Sequence, residues 1–146
     1  MARYISFHSN GDLFQFGKLK KNLTQIKAVK EKNGVAVFAL AENKLILLQA
    51  GYTASESGGV VTVTEPPGWL AKYKADAKAN EKENAKKLFK EYRDDIGSTD
   101  GNISTYKTSL KDYFISDIQT PVNAAADKAA VDVAVAAIDW STVVVP

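Results

Sequence analysis

The sequence predicts an α+β protein: an N-terminal antiparallel β-meander or small barrel, a long exposed helix, two shorter helices and a C-terminal extended arm. Three observations carry this. Apolar and β-branched runs before Pro66 are punctuated by Asn-Gly at 10–11 and again at 33–34. From Trp69 to Ile96 there is neither proline nor glycine, and most residues are Lys, Glu or Ala, which favour helix. After Asp139 the composition turns from alanine-rich to Ser-Thr-Val-Val-Val, which favours extended chain. The expected organisation is an antiparallel β-domain over 1–65, a helical region over 66–139 with its long helix at 68–96, and an arm over 140–146.

The first element pair lies in YISFHSNGDLFQF. Asn10-Gly11 favours a two-residue type I′ turn, because both central residues need positive φ and these two adopt it cheaply. That turn sets Phe7 opposite Phe14 and Ile5 opposite Phe16 on one apolar face, with Ser6 and Gln15, and His8 and Leu13, on the other. Residues 18–25 fit a linker or short helix, since Leu19, Leu23 and Ile26 also make a helical stripe. Asn33-Gly34 repeats the turn signal. The apolar runs VAVFALA and LILLQA, separated by Glu42-Asn43-Lys44, read as two central strands buried on both faces. GYTASESGG is a looser connection, and VVTVT is a further strand.

Pro66-Pro67-Gly68 marks the boundary to the helices. A helix of roughly 28 residues would be about 42 Å long. Its large apolar residues sit at the ends, Trp69, Leu70 and Tyr73 at one and Leu88, Phe89, Tyr92 and Ile96 at the other, with only alanines between. A helix polar around its middle crosses solvent or lies against a polar partner. After a turn over Gly97–Gly101, the residues Ile103, Tyr106, Leu110, Tyr113, Phe114 and Ile118 form one helical stripe. Thr120-Pro121 reads as a new helix start, N-cap then proline in the first turn. The third helix, 121 to about 138, has Val122, Ala126, Ala129, Val133 and Ala137 on one side.

Composition narrows the function classes. In 146 residues there is no cysteine, which removes disulfides, thiolate metal sites and a cysteine nucleophile. The net charge is +2, too small to demand nucleic acid or an anionic membrane as partner. Basic residues exceed acidic ones by three over 1–65 and by two over 66–96, and fall three short over 97–146, so front and back of the chain are of opposite sign. MARYISFHSN lacks the basic-then-apolar run of a signal peptide, and no segment reaches the about 20 apolar residues of a membrane span. The expected location is a virion or the cytoplasm.

Chemistry-bearing motifs are weak. His8 stands without a sequence-adjacent partner for a triad or a metal site. DDIGSTDGN is oxygen-rich but lacks the spacing and the twelfth-position Glu of a calcium loop. No glycine-rich phosphate loop occurs. No cofactor or metal is therefore expected. Lys72, Lys74, Lys78, Lys82, Lys86, Lys87 and Lys90 could follow a phosphate backbone, with Trp69, Tyr73, Phe89 or Tyr92 stacking on bases. Interleaved Asp76, Glu81, Glu83 and Glu91 and the scarcity of arginine weigh against it.

The leading expectation is a non-enzymatic structural or docking subunit of a larger assembly, with a bacteriophage virion as its setting. Its partners are protein neighbours, copies of itself among them. Trp140, Thr142, Val143, Val144 and Val145, with Trp69 and Tyr73 on the long helix, are the expected partner-binding residues: Trp140 as anchor, the following residues as a strand added to a sheet edge. The tail pairing with a sheet edge of its own chain is the alternative geometry. The rival functions are a nucleic-acid-binding accessory protein using Lys78, Lys82 and Lys86, and a small enzyme with a site assembled from His8, Asp94 and Tyr113.

Overall fold

The α+β arrangement is what the computed structural model shows; it describes residues 2–19, 24, 36–95 and 97–146. The chain divides into two units, Met1–Trp69 and Leu70–Pro146.

In the first unit β1 (Ala2–Phe7), β2 (Leu13–Leu19) and β3 (Ala36–Ala39) form an antiparallel sheet in the order β2-β1-β3. A meander would have put the second strand in the centre. Here β1 is central, which explains why Ile5, Ser6 and Phe7 are fully buried. The register matches Ile5 with Phe16 and Ser6 with Gln15, but a bulge between Ser6 and Phe7 pairs Phe7 with Leu13 instead of Phe14. The expected I′ turn is absent: of the turn residues only Gly11 has positive φ, +88°. Asn10 instead accepts the Asp12 N–H on its Oδ1, an Asx turn that widens the loop.

The second expected central strand, LILLQA, is a helix, α1 (Glu42–Gln49). Leu45 and Leu48, three apart, are buried while Ile46 is 49% exposed, a helical and not an alternating pattern. A short apolar run cannot by itself separate buried strand from helix. The deciding residues were Glu42, Asn43 and Lys44, which make the first helical turn and not a break between strands; Glu42 there approaches Arg3 and Lys18 at 3.6 and 3.8 Å. The stretch expected to be a loose connection supplies β4 (Thr53–Ser57), paired with β5 (Val60–Thr64). Gly58 and Gly59, at φ +57° and +84°, make a two-residue hairpin turn with both central residues at positive φ. The core of this unit is Ile5, Phe7, Leu40, Leu45 and Leu48, with Phe16, Phe38, Val61 and Val63 against it. The Asn33-Gly34 turn, and the linker or short helix over 18–25 apart from residues 18, 19 and 24, fall outside the described residues.

The long helix is α2 (Trp69–Arg93), with no buried residue along its length. It is followed by α3 (Asp100–Tyr113), whose cap Thr99 accepts the Asn102 N–H. A π-helical stretch, Phe114–Gln119, runs from α3 into α4 (Thr120–Ala124). Thr120-Pro121 is therefore not a start: Thr120 is helical, φ −64° and ψ −53°, and its Oγ1 donates to the Ile115 carbonyl. The π register lets the helix absorb a proline that has no N–H to give. The break comes instead at Ala125, extended at ψ 131°, and Asp127 caps α5 (Lys128–Ala136) by accepting the Ala130 N–H. That interruption resets the helical phase. Of the expected face only Val122 is buried; Ala126, Ala129, Val133 and Ala137 are exposed, and Ala130, Val131, Ala134, Val135 and Ile138 turn inward.

Two clusters make the core of the second unit. Phe114, Ile118, Val122, Ala125 and Val131 pack with Leu70, Tyr73 and Ala77 of α2. Tyr106, Leu110 and Val143 pack with Leu88, Phe89 and Tyr92 of α2. The stripe Tyr106, Leu110, Phe114, Ile118 is buried as the sequence predicts.

Helical α1 has a direct check. Leu45→Ala should lower unfolding free energy by about 3 kcal/mol and Ile46→Ala by less than about 0.5 kcal/mol in urea denaturation. Comparable losses at the two positions would contradict a helix here.

Candidate functional site

The residues expected to bind partners are mostly engaged within their own unit. Trp69 donates its indole N–H to the Ala50 carbonyl at 2.7 Å and meets Tyr52 edge-on at 4.7 Å between ring centres. Gly51 lies beside it with φ +101°, a backbone conformation that favours glycine, and a Cβ there would sit 3.3 Å from the indole nitrogen, a tight contact. Trp69 thus closes the chain after α1 and β5 within the first unit.

Tyr73, on the second turn of α2, sits in a polar triad with two residues of α5. Its hydroxyl bonds Asp132 Oδ1 at 2.5 Å, Lys128 donates to Asp132 Oδ2 at 2.6 Å, and the Lys128 ammonium lies 5.4 Å from the Tyr73 ring centre. Burial pushes the Asp132 carboxyl up, but hydrogen bonds from Lys128 and Tyr73 and the Lys128 charge outweigh it, so the group titrates below the ordinary carboxylate range. The hydrogen bond to Asp132 raises both the Tyr73 hydroxyl and the Lys128 ammonium above their usual values. The triad ties α5 to α2 by charge-assisted bonds.

The C-terminal segment is not a strand here. Asp139 accepts the Ser141 N–H, shaping one 3₁₀ turn over Trp140–Thr142, and Thr142 Oγ1 donates back to the Asp139 carbonyl. Trp140 donates its indole N–H to Glu81 in the middle of α2 at 2.8 Å and tilts against Tyr113 at 4.9 Å. Val143 is buried, and the Tyr92 hydroxyl donates to the Pro146 carbonyl at 3.1 Å. Paired polar side chains of Asp139, Ser141 and Thr142 satisfy the local backbone as a turn, which is why β-branched composition alone misjudged it. What remains outward is Val144, 76% exposed, and Val145, 57% exposed. Of the expected partner-binding residues these two present the largest free apolar surface.

The lysines of α2 are spoken for to a large extent. Lys74 and Lys78 donate to the carbonyl and side-chain oxygens of Asn123, Lys72 pairs with Asp76, Lys86 pairs with Glu83, and Lys82 lies over the Phe114 ring at 5.4 Å. The three residues named for a possible enzyme site are each held locally. His8 meets Phe14 edge-on, Asp94 pairs with Arg93, and the Tyr113 hydroxyl accepts the Asp139 N–H. Among the described residues no group of three His, Asp or Glu side chains is placed to hold a metal ion, and no helix is long and apolar enough to cross a membrane.

Of the grooves that border α2 in the second unit, two lie between it and another α-helix. One, of about 400 Å³, is lined by Tyr73, Asp76, Asn80, Glu81, Val131 and Asp132. Its carboxylates already serve Lys72, Trp140 and the Tyr73–Lys128 triad. The other, of about 200 Å³, lies between α2 and α3 and is lined by Ala85, Lys86, Phe89, Lys107, Leu110 and Lys111. Sequence reading missed the second, because its members are on two helices about twenty residues apart and only the fold aligns them. No protein-family model matches this chain, and no match was found among curated proteins or solved structures.

Two outcomes follow. The Asp132 carboxyl is lower in the folded than in the unfolded chain, so its contribution is present above the unfolded value and lost as pH falls through the folded one. The Lys128 shift is upward, so its contribution is present below the unfolded value and lost as pH rises through the folded one. Asp132 is nearly half exposed, so screening limits the triad to about 1 kcal/mol. Asp132→Asn should flatten the acid side of the stability-versus-pH curve by that amount; an unchanged curve would remove the triad from the energetics. Separately, Trp140→Ala should cost about 2–4 kcal/mol and the Val144→Ala, Val145→Ala pair less than about 0.5 kcal/mol in chemical denaturation, whereas a cheap tryptophan truncation would mean the segment is not docked.

Proposed function

We propose that this chain is a non-enzymatic docking subunit of a larger protein assembly. The observation that carries the reading is the pair Val144 and Val145, both well exposed and adjacent to an anchored residue. Trp140 and Val143 are tied into the helical unit, so the two valines are presented from a fixed base. An apolar pair held this way gives a neighbour a contact whose ordering cost is partly met in advance. Val143 is extended, at φ −73° and ψ 119°, and the Tyr92–Pro146 hydrogen bond holds the far side, so residues 144 and 145 form a short segment fixed at both ends whose side chains a neighbour can cover. Trp140, Thr142 and Val143 serve as the base of the contact, and Tyr73 braces the long helix through Asp132. The setting proposed with it is a particle such as a bacteriophage virion, in which a small cysteine-free chain is completed by its neighbours.

Site-specific photo-crosslinking tests this in the cell that makes the protein. A photoreactive side chain at position 144 or 145 should give discrete adducts of fixed mass, and one at exposed Lys72 should not. Loss of those adducts in a Val144→Asp, Val145→Asp background is expected when the reactive group is moved to Ser141. Adducts that are the same smear from all three positions would overturn the proposal.

A further inference from the structure

We infer that the groove between α2 and α3 is a second docking site, and that its occupant is an acidic protein segment presenting one large apolar side chain. The inference rests on the docking-subunit reading and names the chemistry of a partner. The floor is Ala85, Phe89 and Leu110, and every charged group lining the groove is an ammonium: Lys86, Lys107 and Lys111. The Phe89 ring is approached by two cations, the Lys107 ammonium and the Arg93 guanidinium, each 5.9 Å from its centre.

Volume decides between a small ligand and a side chain. Sites for whole small molecules run to roughly 300–1,000 Å³. At about 200 Å³ this groove is the size of a single anchor. Charge decides the anchor's surroundings: carboxylates beside it would face three lysines, of which only Lys86 has an acid partner, Glu83, among the described residues. The fold supplies its own precedent. Val143, which follows the 3₁₀ turn, is one apolar side chain already clustered with Tyr106 and Leu110 of α3, and Phe89 of α2 packs against that cluster. An acidic segment with a phenylalanine or leucine between carboxylates would repeat that mode, with the lysine rim fixing its orientation.

The test uses the intact chain, labelled for two-dimensional NMR, and three blocked five-residue peptides. One has phenylalanine between pairs of glutamates, one has glycine in place of the phenylalanine, and one has lysines in place of the glutamates. The first should shift resonances of Phe89, Lys107 and Leu110, with affinity falling as salt is raised. Lys107→Glu with Lys111→Glu should weaken it by about tenfold or more. Lys107→Gln with Lys111→Gln, which adds no like charge, should weaken it less and serves if the reversal disturbs folding. The inference fails if the groove resonances do not move, if the glycine or lysine peptide binds as well as the first, or if dilution of the protein alone moves the same resonances, which would mean that another copy fills the groove. A silent groove alongside discrete adducts from positions 144 and 145 would remove this site and leave the docking-subunit reading standing; a responsive groove without those adducts would do the reverse.

Discussion

The second unit depends on how a helix of 25 residues with no buried side chain of its own is kept in place. Such a helix gains little from propensity alone, and its stability must come from whatever covers one face. That cover has three parts. Leu70, Tyr73 and Ala77 meet the Phe114–Val131 cluster, Leu88, Phe89 and Tyr92 meet Tyr106, Leu110 and Val143, and the polar stretch between is bridged by Glu81 with Trp140, Lys78 with Asn123 and Lys82 over Phe114. The polar middle of α2 meets an indole N–H, a side-chain amide and the face of an aromatic ring. Each bridge reaches from a different later element, so α2 integrates the unit without burying a side chain.

The C-terminal segment is part of that cover. Trp140 joins the two apolar clusters, since it packs at the edge of both and bonds α2 between them. The same anchoring that stabilises the helices leaves Val144 and Val145 outside. Structure and proposed docking therefore share one device: a tryptophan fixes the segment, and the residues beyond it are offered outward.

The fold class was legible, and so was the stripe Tyr106, Leu110, Phe114, Ile118, because long periodic segments carry their own geometry. Ile5 opposite Phe16 was legible from the turn signal at Asn10-Gly11, which places the hairpin's centre even though the turn is of another type. Three things were not. LILLQA lacks a polar alternation, so nothing local says whether Leu45 and Leu48 share a face as helix or as strand. The phase of α5 depended on a break at Ala125, and Thr120-Pro121 drew the eye to the wrong place because a π-helical stretch can carry a proline. STVVV has the composition of a strand, yet Asp139 and Thr142 hold its start in a turn, a local hydrogen-bond choice that propensity does not price. The α2–α3 groove was invisible since its lysines and Phe89 come together only when two helices align. The tail residues named from sequence fell on both sides: Trp140 as an anchor, Val144 and Val145 as free surface.

The central claim is that the C-terminal segment holds the long helix. Native-state hydrogen exchange on the intact chain and on one ending at Ile138 tests it most directly. The account predicts that removing 139–146 strips protection from amides around Glu81 and from Leu88 to Tyr92 by about tenfold or more, while the first turns near Tyr73, held by Asp132 and the Val131 cluster, change far less. Equal protection along α2 in the two chains would contradict it.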